Sequence, residues 1–272
     1  LPAFSHPLKL ASEIAFCDAI SQGRLEVGFA RAFLPHEFER FGVPLDESRS
    51  RFDEAIAVID RLLTRENVAH EGKHWRFPET TIFPRPTQSP RPPFWVAAIQ
   101  STESFVNAGR AGYGVMAIPL AGETMRGLID AYRKAWKEAG HPGEGRVMIA
   151  FHMLCASTDA QAEAAAREPI NAYMRSLVDA NSDWGAGMTS TDYPNHPKMI
   201  ENLRKVNFDK LLEGGGAWVG SPARIREQIA RVREEYGGFE IASLQVNSHT
   251  ISYAEAAASM KLFSEQVLPH FA

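Results

Sequence analysis

Apolar positions along the chain switch between two spacings, and the switch divides it into helices and short strands. Residues 6–21, "HPLKLASEIAFCDAIS", place Leu10, Ile14 and Cys17 on one helical face, with Pro7 suited to a first turn. "RLEVGFA" follows as a buried strand. "SRSRFDEAIAVIDRLLT" sets Phe52, Ile56, Ile59 and Leu63 at helical spacing, and "VAHEGKHWRF" predicts a small hairpin turning at Glu71-Gly72. The proline-rich "FPRPTQSPRPP" can neither continue a helix nor donate to a ladder, so it should run extended. Beyond it the alternation becomes regular. Strands at "FWVAAI", "YGVMAI", "RVMIAFHMLCA" and "ASLQVNS" are separated by helical patterns, one of them carrying Met125, Ile129, Tyr132 and Trp136 on one face. Residues 180–197, "ANSDWGAGMTSTDYPNHP", read as irregular, and Ser252 and Glu255 have capping-box spacing before the last helix. Five short strands, apolar on both faces and alternating with helices, predict an α/β fold with a parallel sheet buried by helices. Periodicity leaves open whether that sheet is open or closed.

The 272 residues are 44% hydrophobic and 23% charged, an ordinary globular profile. A net charge of -4, with basic residues spread among acidic ones, gives no electrostatic footprint for nucleic acid. Cys17 and Cys155 are far apart and lack metal-site spacing, so both are expected to be small buried hydrophobes and no metal is expected. No apolar run approaches the ~18 residues of a membrane span. A cytoplasmic location is therefore the expectation.

Ligands of parallel α/β folds gather at the carboxyl ends of strands, where helix amino termini converge with unsatisfied N–H groups. Two strand ends stand out. "GFARAF" presents Arg31 just past a strand, as either an anion ligand or a surface charge. "WVAAIQSTESF" runs into a helix through Gln100, Ser101 and Thr102, as either a phosphate cradle or an ordinary cap. Ser221 before Pro222 reads as a structural cap, and Gly214 to Gly216 as a hinge. Nine histidines are scattered; His70 and His74 stand four apart but flank the predicted hairpin turn at Glu71-Gly72 rather than sharing a helical face, and His152 and His249 fall in predicted strands. There is no Gly-x-Ser-x-Gly elbow and no distinctive carboxylate pair, so hydrolase chemistry has no support.

The whole pattern resembles the bacterial luciferase-like, flavin-dependent monooxygenases, a family of (β/α)8 TIM barrels. The matching pieces are "HPLKLASEIAFCDAISQGRLEVGFARAF", "EFERFGVPLDESRSRFDEAIAVIDRLLT", "EGKHWRF", "PRPTQSPRPPFWVAAIQSTESFVNAGRAGYG", "WVGSPARIREQI" and "MKLFSEQVLPHF", in family order. The resemblance implies one barrel domain over residues 1–272, lacking the first three strands at its amino terminus, with a lid within residues 181–218. Five strands cannot close an eight-stranded barrel, so the chain is expected to be a fragment, inactive by itself, with the catalytic histidine upstream of Leu1. The family's flavin phosphate site falls on Arg31, Ala98, Ile99, Gln100, Ser101 and Thr102. Ala30 stands where luciferase has a reactive cysteine, Ala32 where a glycine is common, and Ala98 where luciferase has a carboxylate. Ile118 and Pro119 are expected to line the substrate pocket, with Trp184, Tyr193 and Trp218 covering it. The implied activity oxidises a small organic substrate with O2 and reduced FMN from a separate flavin reductase, in a homodimer or heterodimer. A deazaflavin oxidoreductase of the same superfamily and a non-catalytic flavin-binding subunit are the alternatives.

Overall fold

The computed structural model describes residues 1–271, which fall into two compact units. The first comprises residues 1–97 and 183–197; the second comprises residues 98–182 and 198 onward.

In the first unit, helix α1 (Pro7–Ile20) lies against α3 (Ser48–Thr64), whose buried stripe is Ala55, Ile56, Val58, Ile59, Leu62 and Leu63. That spacing of three and four is the signature seen in the sequence, and burying each Ile or Leu is worth about 2 kcal/mol. The short helix α2 (Pro35–Arg40) lies between them in sequence. On α1 the face is rotated from the expected one: Ala11, Ile14, Ala15 and Asp18 are buried while Cys17 is exposed. The helix is apolar on several sides, with Phe16 and Ile20 also exposed, so spacing alone did not single out its inner stripe. Asp18 is buried because it accepts hydrogen bonds from the Gln88 amide and side chain, fastening the proline-rich connector. Arg85 of the connector donates to the Leu62 and Leu63 carbonyls, which the end of α3 leaves unsatisfied.

Strands β1 (Val27–Phe29) and β4 (Phe94–Ala97) pair in parallel, with Val27 opposite Phe94 and Phe29 opposite Val96. The hairpin strands β2 (Val68–Glu71) and β3 (Arg76–Thr80) pair antiparallel.

The second unit is built on parallel strands β5 (Gly114–Ala117), β6 (Val147–Cys155) and β8 (Ile241–Gln245), with β6 bonded to both of the others. A further strand, β7 (Ala217–Gly220), pairs with the carboxyl half of β6. The sequence pattern did not resolve β7, because four residues next to a glycine run are too few to show a period. Residues 181–218, the expected lid, whose part up to Pro197 reads as irregular, contain α7 (Ser182–Gly185), α8 (His196–Leu203), α9 (Phe208–Glu213) and the first half of β7. The remaining helices are α4 (Thr102–Ala111), α5 (Gly122–Glu138), α6 (Asp159–Ala180), α10 (Pro222–Tyr236) and α11 (Tyr253–Gln266), the last with the capping box at Ser252 and Glu255. On α5 the buried face is Met125, Leu128, Ile129, Tyr132 and Ala135, close to the expected stripe.

Register gives the second unit's sheet two distinct faces. Val115, Val147, Ile149 and Phe151 point one way and are fully buried. Met116, Met148, Ala150, Ser243, His152 and Gln245 share the opposite face, where Met116, Met148 and Ala150 are half-buried and Ser243 is exposed.

Candidate functional site

Arg31 follows β1 at the carboxyl end of the β1–β4 pair, where ligands of parallel sheets gather. Its guanidinium lies 4.3 Å from the centre of the Tyr193 ring, and its Nη2 donates to the Asp192 carbonyl at 3.2 Å. The other terminal nitrogen, Nη1, is buried without a hydrogen-bond partner among the described residues. An orphaned N–H on a charged group is costly, and an anionic oxygen is the partner that removes the cost. Burial lowers the Arg31 pKa from its ordinary value, and nearby Arg49 adds to this against Tyr193, Asp192 and Asp53. An incoming anion would oppose both of the lowering effects.

Residues 183–197 are fixed around this arginine by bonds that no local pattern announces. Tyr193 Oη is hydrogen-bonded to Ser48 Oγ and donates to the Ala32 carbonyl. Trp184 Nε1 donates to the Phe33 carbonyl at 2.9 Å, and Asp192 Oδ2 accepts from the Arg49 amide at 2.7 Å. Asp46 caps the same segment by accepting from the Thr191 amide at 2.9 Å. His196 sits among Tyr193, Trp184 and Phe33 with ring centres 4.7, 5.1 and 5.9 Å away. Burial, and secondarily the Arg31 charge, push His196 down to about 4, so it is neutral at pH 7. His36 Nδ1 lies 2.9 Å from the Asp183 carboxylate. Arg31, Trp184 and Tyr193 are thus brought together within one unit. Ser48, Arg49, Asp192 and His196, which sequence reasoning did not select, complete the setting.

The second predicted strand end belongs to the other unit. Ser101 is the N-cap of α4 and accepts from the Ser104 amide at 3.3 Å. Gln100, Ser101 and Thr102 are exposed, Ile99 is half-buried and Ala98 is buried, with its amide bonded to the Met116 carbonyl at 2.9 Å. The open α4 amino terminus offers N–H groups and the positive end of a helix dipole to an anion. Glu103 in its first turn is a negative charge that such an anion must tolerate.

Ile118 and Pro119 lie just beyond β5, and Ile118 is 47% exposed. Trp218 does not belong with them as a mobile cover. It is 1% exposed in β7, on the Met153 side of the sheet, with its ring stacked on Phe151 at 4.0 Å. Ser221 caps α10 by accepting from the Arg224 amide, the structural role expected of it. His152 lies in β6, whereas His249 lies past the end of β8 at a φ of 44°.

Residues 1–238 match the model of the luciferase-like monooxygenases. The chain belongs to that family. It is 28% identical to the oxygenase component of a flavin-dependent trigonelline monooxygenase from Acinetobacter baylyi, over 98% of this chain and 73% of that protein. It is 24% identical to limonene 1,2-monooxygenase from Rhodococcus erythropolis, over 98% of this chain and 66% of that one. The chain thus spans about two thirds to three quarters of these relatives. Among solved structures, a monooxygenase from Streptomyces bottropensis matches all of this chain and 76% of its own at 34% identity, with a TM-score of 0.80. The oxygenating constituent of 3,6-diketocamphane monooxygenase from Pseudomonas putida, in complex with FMN, matches 99% of this chain and 77% of its own at 22% identity, with the same TM-score. These neighbours show the fold to be of the luciferase-like TIM-barrel type. No helix among the described residues is long and apolar enough to cross a membrane.

Proposed function

We propose that this protein is an FMN-dependent monooxygenase, the oxygenase partner of a separate flavin reductase, acting on a small organic substrate. The observation that carries the cofactor reading is the buried, unpartnered Nη1 of Arg31, which asks for an anionic oxygen at the carboxyl end of a parallel strand pair. The exposed amino terminus of α4, at Gln100, Ser101 and Thr102, offers a second kind of anion donor made of backbone amides. What links the two is family membership, which gives both, with Ala98 and Ile99, to the flavin phosphate.

Reduced FMN, when bound, supplies the electrons with which O2 is activated. The chain's own residues position and shield. Arg31 holds charge against charge, and Tyr193 covers its guanidinium face and so orients the fork. Trp184, Tyr193 and His196 pack residues 183–197 into a neutral aromatic wall that excludes water beside Arg31. Ile118 and Pro119 supply apolar surface for substrate at another strand end.

Titration of the protein with FMN and with a deazaflavin separates the readings. Tight FMN binding, together with reductase-dependent oxygen uptake coupled to product, is the expected result. Tight binding of the deazaflavin alone would overturn the monooxygenase reading in favour of hydride transfer. FMN binding with no product from any substrate panel would point to a non-catalytic flavin-binding subunit.

A further inference from the structure

His152 is a buried imidazole that neither the flavin reading nor the core explains. It lies in the carboxyl half of β6, opposite Gln245 of β8, on the face shared by Met116, Met148, Ala150 and Ser243. It is 7% exposed. Nδ1 is 3.1 Å from Ser248 Oγ, itself on a residue only 5% exposed, and the Tyr173 ring of α6 packs edge-on against the imidazole at 5.1 Å. Ser248 and Tyr173 therefore fix both the tilt and one nitrogen of the ring. Nε2 makes no hydrogen bond among the described residues. Nε2 is not one of the buried atoms left without a partner, so although the residue as a whole is buried this nitrogen faces space that water or a ligand can reach.

The surface around Nε2 has a definite chemical character. Every residue on that face of β5, β6 and β8, from Met116 and Met148 through Ala150 and Ser243 to Gln245, is uncharged. Ile118, just past the end of β5, is exposed apolar surface as well. Tyr173 is the titratable side chain seen to pack on the imidazole. Burial alone pushes His152 down to about 4, so at neutral pH the ring adds no charge to this surface.

We infer that His152 contacts the substrate, with Ser248 donating to Nδ1 so that the Nε2–H is offered to a carbonyl or similar neutral acceptor on an otherwise apolar organic molecule. The inference rests on the monooxygenase reading and narrows its substrate class to uncharged compounds. A carboxylate or other ion brought to this face would lose its hydration with no opposite charge to replace it. A neutral acceptor exchanges a water for the Nε2–H and buries its hydrocarbon against Met116, Ile118 and Met148.

The test uses cyclohexanone and camphor as neutral probes and cyclohexanecarboxylate as the charged control, with binding read from the imidazole 15N and 1H resonances of the labelled protein. Both resting nitrogens should show the Nε2–H tautomer, and at least one ketone should shift the Nε2 signal while the carboxylate does not. His152→Asn, which keeps a group near Nδ1 and removes Nε2, should weaken ketone binding roughly 10-fold or more. His152→Gln, which restores a donor near Nε2, should recover binding to within roughly threefold. FMN affinity should be unchanged in both variants. Ketone binding unaltered by His152→Asn, no response to either ketone, or carboxylate binding as tightly as ketone would each overturn the inference. Because FMN binding is read separately, loss of the flavin reading would appear as failed FMN titration, whatever the ketones do.

Discussion

A single nitrogen atom on Arg31 distinguishes this arginine from the many that decorate protein surfaces. In the sequence, "GFARAF" allowed either a salt bridge or an anion ligand; in the fold, Nη2 is taken by a backbone carbonyl, Tyr193 covers the guanidinium, and Nη1 is left buried and unmet. Arg31→Ala should weaken FMN binding roughly 10- to 100-fold, the range for losing hydrogen bonds to a charged group, as measured by flavin fluorescence titration. Arg31→Lys should recover only part of this, because an ammonium keeps the charge but not the fork. The histidines make a second prediction at this scale. His152 and His196 both have folded pKa values near 4, below the unfolded value, so the unfolded chain binds more protons between about pH 4 and 6.5. Stability should therefore fall as pH drops through that window, with His152 contributing about 3 kcal/mol in all. Urea midpoints measured from pH 7 to 4 should show this slope, and His152→Asn should flatten it.

Among the elements, the hairpin shows how a pattern can be right while its fastening is invisible. Alternation predicted β2 and β3, yet what holds them is Glu54 of α3, which accepts from His70 Nε2 at 2.8 Å and from the His74 and Trp75 amides at 3.0 and 3.1 Å. Burial by itself would raise the Glu54 carboxyl, and these donors hold it below its usual range instead. Glu54→Gln should cost about 1–3 kcal/mol and speed amide exchange in β2 and β3. Gly72→Ala should act in the same direction, since a Cβ there would lie 2.0 Å from Glu54 Oε1. Long periodic helices such as α3, α5 and α10 were legible because each presents a wide apolar stripe. Strand β7 and helices α7, α8 and α9 were not, because they are short and are held by distant partners. Asn207 caps α9, for example, while Asn171 of α6 accepts from the Phe208 amide at 2.8 Å.

At the scale of the whole molecule, a ligand that binds only the folded chain adds stability by mass action. FMN at 100 times its Kd should add about 2.7 kcal/mol, seen as a rise of several degrees in Tm, whereas an equal concentration of riboflavin, which lacks the phosphate, should add far less. An equal response to the two flavins would remove the role assigned here to Arg31 and the α4 turn. The parallel α/β class and the family were determined by the sequence itself, because apolar spacing, turn residues and collinear motifs are local properties that survive without coordinates. The setting of Arg31, the core position of Trp218 and the orientation of His152 were decided only by tertiary structure. Each depends on partners far away in sequence: Tyr193 for Arg31, Phe151 for Trp218 and Ser248 for His152. Periodicity reports which face of an element is apolar, but which side chain meets which, and which polar atom is left without a partner, is fixed only when separate elements pack.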